Sequence, residues 1–107
     1  MQPVQMNKAI HKEGESVTVF ASDYLNKLSG EKIEKECRQY FESGCRTLEV
    51  NFKDTEFVNS IGISILLGVI DAASDVNANL IFSDVSEHTI ELFEMLGLTN
   101  HVVLKMR

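Results

Sequence analysis

Segments with the apolar spacing of a strand alternate along the chain with segments that have the apolar spacing of a helix. This alternation constrains the fold more than any other feature of the sequence. Leu48, Val50 and Phe52 alternate with polar residues, which predicts a half-buried strand. Residues 62–74 are mostly apolar over a length that exceeds a buried strand, so they predict a buried helix. Strands that alternate with helices favour an α/β fold with a mainly parallel sheet.

The same spacing predicts the remaining elements. Residues 4–10 and 17–21 predict two strands joined by a turn at residues 13–15, which together form an N-terminal hairpin. One helix is predicted from the candidate N-cap Ser29 to Gly44, and another from the candidate N-cap Ser86 to Gly97. Residues 23–29 are expected to be irregular, and residues 57–58 to return the chain towards the core. Residues 80–82 and 101–104 predict two short strands.

The predicted order is therefore β-β-α-β-α-β-α-β. With no linker or internal repeat in the sequence, we expect one domain over residues 1–107. Its architecture is a mixed sheet with an N-terminal hairpin and about three helices packed on it. The main aromatic residues are expected in the core rather than at a binding surface, namely Tyr24, Tyr40, Phe41 and Phe93.

Charge and hydropathy exclude several functional classes. The formal net charge is −6, from 10 Lys and Arg against 16 Asp and Glu, so nucleic acid is not an expected partner. The longest near-apolar stretch, residues 61–70, is far shorter than the roughly 20 residues that span a bilayer. The first residues lack the pattern of a signal peptide. We expect a cytoplasmic protein without membrane insertion, in which Cys37 and Cys45 are free thiols.

Catalytic and metal-binding motifs are missing from the sequence. It contains no GxSxG, GxxxxGK[ST], GxGxxG or HExxH pattern. His11, His88 and His101 are too scattered for the local pairing typical of metal ligands. Acidic residues in the polar connections are expected to be solvated or capping, and Glu87, Glu91 and Glu94 to form an exposed helix face. We therefore predict no enzyme activity, no metal and no cofactor.

One segment has a pattern that suggests a binding site. Asn59 and Ser60 are small polar residues that lead directly into the apolar helix predicted over residues 62–74. A helix N-terminus has unpaired backbone N–H groups and a partial positive charge. A side-chain oxygen at this place can cap the helix, and a phosphate added to a hydroxyl there would be stabilised by the same groups. Both interpretations stay open at this point.

The segment resembles the signature of the STAS domain, which bacterial anti-sigma factor antagonists share with the cytoplasmic tails of sulfate transporters. Residues 50–67, VNFKDTEFVNSIGISILL, are similar to the family pattern LDLSxVxFIDSSGLGxLL. Residues 17–23, VTVFASD, resemble a family strand that ends in GELD, and residues 92–99, LFEMLGLT, resemble the family's FxxxGL. The resemblance covers nearly the whole chain. It implies an α/β fold and a role in protein interaction rather than catalysis.

The resemblance also implies a binding surface and a departure from the family switch. In the family, the second hydroxyl residue of D-S-[ST]-G accepts phosphate from an anti-sigma factor that is also a kinase, and the phosphate abolishes binding. Here Asn59 replaces the aspartate, Ser60 matches the first serine, and Ile61 occupies the acceptor position; Asn51 replaces an earlier aspartate. Ile61 cannot be phosphorylated, so the alternative acceptors are Ser60 and Ser64, of which Ser60 is the better candidate because it keeps one family hydroxyl. The implied partner-binding residues are Asp23, Asn59, Ser60, Ile61, Gly62 and Ser64.

The implied partner is a serine-kinase-like anti-sigma factor or another signalling protein. Two alternatives stay open. The chain could be a STAS subunit of a larger signalling or transporter-associated complex, or a module that binds an anion or nucleotide at the helix N-terminus. The sequence does not indicate an oligomeric state.

Overall fold

The computed structural model describes residues 16–98 and 101–107. In chain order the elements in these ranges are β1 (Ser16–Phe20), β2 (Tyr24–Leu25), α1 (Lys27–Glu42), β3 (Thr47–Asn51), β4 (Phe57–Val58), α2 (Ser60–Asp75), β5 (Asn79–Val85), α3 (Glu87–Met95) and β6 (Val103–Met106). The predicted strand at residues 4–10 and the turn at residues 13–15 lie outside the described residues.

The main sheet has the strand order β1-β3-β5-β6, and its described strands are all parallel. Val19 pairs with Val50, Val50 with Phe82, and Phe82 with Leu104, so these residues share one face. A helix connects each pair of neighbouring strands, as parallel pairing requires. The predicted α/β class, with three helices on a mainly parallel sheet, is confirmed.

The core lies between this face of the sheet and the helices. Leu48 and Val50 are completely buried and Phe52 nearly so, which confirms the predicted inward face of β3. Phe52 contacts Phe82 and Phe93 edge to face, at ring-centroid distances of 5.3 Å and 6.4 Å, so α3 packs on the same face. The buried side of α2 also contributes to this core, through Leu66, Val69 and Ile70.

The helix ends agree with the predictions to within two residues except at the start of α1. Its N-cap is Asn26, whose Oδ1 accepts from the Ser29 backbone N–H at 3.0 Å. Ser29 was predicted as the cap and lies three residues further on, where its Oγ accepts in return from the Asn26 N–H. The prediction was wrong because a capping box uses both polar side chains and Asn26 begins it. Gly44 and Gly97 have φ values of 98° and 75°, as expected for residues that follow a helix.

Four further predictions were wrong. Residues 23–29 are not irregular, because they contain β2 and the first turn of α1. Residues 57–58 do not return to the core as a whole, because β4 pairs with β2 outside the main sheet and Phe57 is 65% exposed. Tyr24 is 45% exposed, whereas Phe41 and Phe93 are buried as expected. The last strand begins at Val103, two residues later than predicted.

Candidate functional site

The candidate site lies at the carboxyl edge of the main sheet. Since the strands are parallel, the connections that follow β1, β3 and β5 leave from the same edge. Two of these connections contain β2 and β4, which pair in parallel with Tyr24 opposite Phe57 and Leu25 opposite Val58. A two-stranded sheet is at best marginally stable by itself. Its position therefore depends on contacts with the rest of the domain.

Backbone hydrogen bonds connect the Asp23 segment to the start of α2. The Asp23 carbonyl accepts from the N–H of Glu56 at 2.8 Å and of Phe57 at 3.1 Å. The Leu25 carbonyl accepts from the Asn59 N–H at 3.0 Å. Asp23 and Asn59, which are far apart in the sequence, are thus parts of one structural unit.

The loop that precedes β4 is fixed by buried and charged donors. Thr55 is buried, and its Oγ1 donates to the Ser22 carbonyl at 2.6 Å. The Arg107 guanidinium donates to the carbonyls of Phe52 at 2.8 Å and Thr55 at 3.2 Å. Charge-assisted bonds of this kind are stronger than neutral ones. They fix the loop from which β4 extends.

Asn51 also fixes this loop. Its Oδ1 accepts from the Lys53 backbone N–H at 2.9 Å, and its Nδ2 donates to the Asp84 carboxylate at 2.8 Å and to the Ser83 hydroxyl at 3.1 Å. An asparagine supplies both an acceptor and a donor, which a carboxylate does not. Ser83 in turn donates to the Glu49 carboxylate.

The beginning of α2 presents a polar cap followed by an apolar side chain. Asn59 is the N-cap, and its Oδ1 accepts from the Gly62 N–H at 2.7 Å. Ser60, the first residue of the helix, is exposed, and Ile61 is 50% exposed. The Ser64 hydroxyl donates to the Ser60 carbonyl at 3.1 Å, within the same turn. The capping interpretation of Asn59 is confirmed.

Gly62 places this turn directly on β2. A Cβ at position 62 would lie 2.6 Å from the Leu25 carbonyl oxygen and 2.9 Å from the Leu25 Cγ. Real Cβ atoms do not approach backbone oxygen that closely. Leu25 is itself completely buried, so it cannot move aside without disturbing the core. A glycine is therefore required where α2 crosses β2.

The sequence-predicted site residues all lie in this unit. Asp23 precedes β2, and the other five lie at or within the first turns of α2, namely Asn59, Ser60, Ile61, Gly62 and Ser64. The sequence reasoning missed the exposed rings of Tyr24 and Phe57 and the loop contacts of Thr55 and Arg107. Two-residue strands are too short to produce a periodic signal. Arg107 bonds only to carbonyls, which every residue has, so no motif could have indicated it.

Both cysteine thiols are buried. Burial raises the pKa of the Cys37 thiol to about 12, with smaller contributions from the nearby Glu36, Cys45 and Glu34. Burial also raises the pKa of Cys45, so neither thiol is an activated nucleophile. Nowhere in residues 16–98 or 101–107 do three or more His, Cys, Asp or Glu side chains form a group that could hold a metal. No helix in the same two ranges has the length and apolar character needed to cross a membrane.

Comparison with known proteins assigns the family. The model of the STAS domain family matches residues 8–107, which is nearly the whole chain. This chain belongs to the STAS domain family. The family membership inferred from the segment around Asn59 is thus confirmed. A comparison with curated proteins finds no match.

Solved structures with the same fold include anti-sigma factor antagonists. A protein of Thermotoga maritima assigned to that class has a TM-score of 0.70 and 13% identity, over 84% of this chain and 80% of its own. Unphosphorylated SpoIIAA, an anti-sigma factor antagonist, has a TM-score of 0.69 and 19% identity, over 92% and 84%. Phosphorylated SpoIIAA, a Bacillus cell fate determinant, has a TM-score of 0.67 and 22% identity, over 84% and 82%. At these identities the likeness shows a shared fold.

Proposed function

We propose that this STAS domain is a protein-interaction module of the anti-sigma factor antagonist type. It binds a serine-kinase-like anti-sigma factor, or another signalling protein built like one, and it has no catalytic role. The binding surface consists of residues 59–62, with Asp23 and Ser64 beside them, and the exposed side of α2. A partner of this kind implies a cytoplasmic location.

The observation that carries the proposal is the half-exposed Ile61 on the first turn of α2. Its backbone is fixed by the Asn59 cap on one side and by the contact of Gly62 with β2 on the other. A prearranged apolar side chain loses little conformational entropy on binding. Burying an isoleucine completely contributes roughly 1.5–3 kcal/mol, which is enough to matter in an interface.

The same residue removes the usual place for a covalent switch. A phosphoserine carries about −1.5 to −2 charges at neutral pH, which would repel an apolar or acidic interface. Isoleucine has no hydroxyl, so we propose that binding is constitutive. Ser60 is exposed and keeps one hydroxyl at the helix N-terminus, which makes it the residue where modification would contradict this part of the proposal.

The two alternatives differ from this proposal in what they require of the site. A subunit of a larger signalling or transporter-associated complex could use the same surface, but as an isolated chain it would not bind a kinase-like anti-sigma factor. An anion or nucleotide module would need free N–H groups at the start of α2. The Asn59 side chain already accepts from the Gly62 N–H, which weakens the support for that alternative.

Calorimetric titration with purified serine-kinase-like anti-sigma factors from the same genome tests the proposal. Ile61→Asp removes the apolar contact, and Leu28→Asp is the matched control. Both residues are exposed and each is the second residue of its helix, so an aspartate has the same effect on either helix terminus.

We expect Ile61→Asp to weaken binding by about 10-fold or more, because 1.4 kcal/mol corresponds to a factor of ten. Leu28→Asp is expected to bind like the wild type. Equal affinity of the wild type and Ile61→Asp would contradict the proposed surface. If none of these anti-sigma factors binds the wild type, the proposed function itself is wrong.

A further inference from the structure

Two aromatic rings are exposed beside the proposed binding surface. Tyr24 and Phe57 are 45% and 65% exposed, although they come from different connections. Their ring centroids lie 6.2 Å apart, with an angle of 75° between the ring planes, which is a favourable edge-to-face arrangement. Neighbouring exposed apolar groups of this size mark interaction sites. Aromatic residues are also enriched in protein interfaces, and tyrosine is among the residue types that dominate binding energy.

These rings line a groove between β4 and α3. The groove has a volume of about 500 Å³. Val58 and Leu92 contribute to its lining and pack partly against the core, so the groove has an apolar wall that the fold keeps in place. Asn59, the N-cap of α2, also lines it. The groove is therefore continuous with the surface proposed above.

Hydrogen bonds hold the backbone that carries the two rings. The two strands pair in register, and the N–H groups of Glu56 and Phe57 both donate to the Asp23 carbonyl. Thr55 links the same loop to Ser22. Since ordering a loop at an interface costs affinity, this prearrangement favours tight binding at the groove.

The charges around the groove indicate the chemistry of its occupant. Among the described lining residues Glu56 carries a carboxylate, and none is a lysine or arginine. Asp23 and Glu87, which adjoin the lining residues Tyr24 and His88 in the chain, are also exposed. The whole chain has a formal net charge of −6. A complementary occupant therefore carries positive charge beside its apolar group.

We infer that the groove between β4 and α3 binds a segment of the partner protein in which an aromatic or aliphatic side chain is flanked by Lys or Arg. The apolar side chain packs against the rings of Tyr24 and Phe57, and the basic residues face the carboxylates of Asp23 and Glu56. The inference rests on the proposed function in one respect only, that the partner uses the adjoining surface at Ile61.

Peptide display tests the groove without any assumption about the partner. A phage library of random peptides is selected on the wild-type domain, and binders are then measured on Phe57→Ala, Tyr24→Ala and Phe20→Ala. Phe20 is the matched control, because its ring is 56% exposed but is not among the residues that line the groove. The far-ultraviolet spectrum and melting temperature of each variant establish that it is folded.

We expect the selected peptides to share an apolar residue flanked by Lys or Arg. Their affinity should fall by about 30-fold or more in Phe57→Ala, since truncating a dominant interface residue costs about 2 kcal/mol, and should be unchanged in Phe20→Ala. Their binding should also weaken with added salt, because screening reduces the attraction of the basic residues. Acidic peptides, or peptides equally sensitive to Phe20→Ala, would overturn the inference.

Two further measurements separate the groove from its alternatives. If a kinase-like anti-sigma factor binds and loses affinity in Ile61→Asp but not in Phe57→Ala, the groove inference fails while the proposed function stands. If basic-apolar peptides bind at the groove and no anti-sigma factor binds, the proposed function fails while the groove stands. A dimer in analytical ultracentrifugation that Phe57→Ala dissociates would make a second copy the occupant and would overturn the inference.

Discussion

The two glycines of α2 give a paired test of how the site is attached to the domain. Gly62 and Gly68 lie in the same helix, and each would become a better helix former as alanine, by up to about 1 kcal/mol. Their surroundings differ. The Cβ of Gly62→Ala would lie 2.6 Å from the Leu25 backbone oxygen, whereas that of Gly68→Ala would lie 2.6 Å from the Glu34 carboxylate oxygen. A backbone oxygen in a buried strand cannot move easily, but the end of a glutamate side chain can.

The magnitude follows from this difference. Overpacking in a region that cannot relax costs typically about 1–3 kcal/mol. At Gly68 the glutamate moves away at the cost of its ion pair with Arg38, which is partly exposed and contributes only about 0.3–0.5 kcal/mol. We therefore expect Gly68→Ala to be as stable as the wild type or more stable. Gly62→Ala should be less stable than Gly68→Ala by about 1–3 kcal/mol.

Urea unfolding followed by circular dichroism measures the difference directly. For a domain of this size, 1 kcal/mol shifts the melting temperature by about 4–8 °C, so thermal scans give an independent value. Partner affinity should fall in Gly62→Ala and stay unchanged in Gly68→Ala, because only the first moves α2 relative to β2. Equal stability of the two variants would refute the close approach of α2 to β2.

Three other changes have defined outcomes. Phe52→Ala should lower the free energy of unfolding by about 3–5 kcal/mol in urea titrations, since the ring is buried against Phe82 and Phe93. A loss well under about 1 kcal/mol would mean that the inward face of β3 is misassigned. Asn59→Ala should lower the free energy of unfolding by about 1 kcal/mol because the cap is lost, whereas Asn59→Asp should retain the cap. Equal urea midpoints for these two variants would argue against the cap. Burial raises the pKa of the Cys37 thiol from 9.0 to about 12, so the stability that the neutral thiol contributes is complete below pH 9.0 and falls as pH rises from there towards 12. Urea unfolding at increasing pH should therefore show the wild type losing stability faster than Cys37→Ala. Parallel curves for the two proteins would contradict a buried neutral thiol.

The periodicity of apolar residues was sufficient to predict the long helices and strands. The alternation of Leu48, Val50 and Phe52 and the apolar run of α2 each span several turns or pleats, so the pattern defines which side faces the core. Caps close to these elements were also predictable where one polar side chain acts alone, as at Ser86, whose Oγ accepts from the Thr89 N–H at 3.2 Å. Where two polar side chains share the cap, as Asn26 and Ser29 do, the sequence did not indicate which begins the helix.

The exposed part of the site could not be predicted from local patterns. Tyr24 was expected in the core because no basic residues interleave with the aromatic residues as they would at a base-stacking surface. Its strand is only two residues long, so no periodic pattern indicated otherwise. Its exposure results from the pairing of β2 with β4, which depends on contacts between residues more than thirty positions apart, such as Thr55 with Ser22. Sequence spacing contains no information about such contacts, whereas the segment around Asn59 could be found because it resembles a known motif.

The central claim is that the surface at Ile61 binds a kinase-like anti-sigma factor without a covalent switch. The most direct measurement is the affinity of the complex, by calorimetry, before and after incubation with that kinase and ATP, with modified residues mapped by mass spectrometry. We predict unchanged affinity and no phosphate on the wild type, but phosphate on the Asn59→Asp, Ile61→Ser double variant. Stoichiometric phosphate on Ser60 together with loss of binding would contradict the claim.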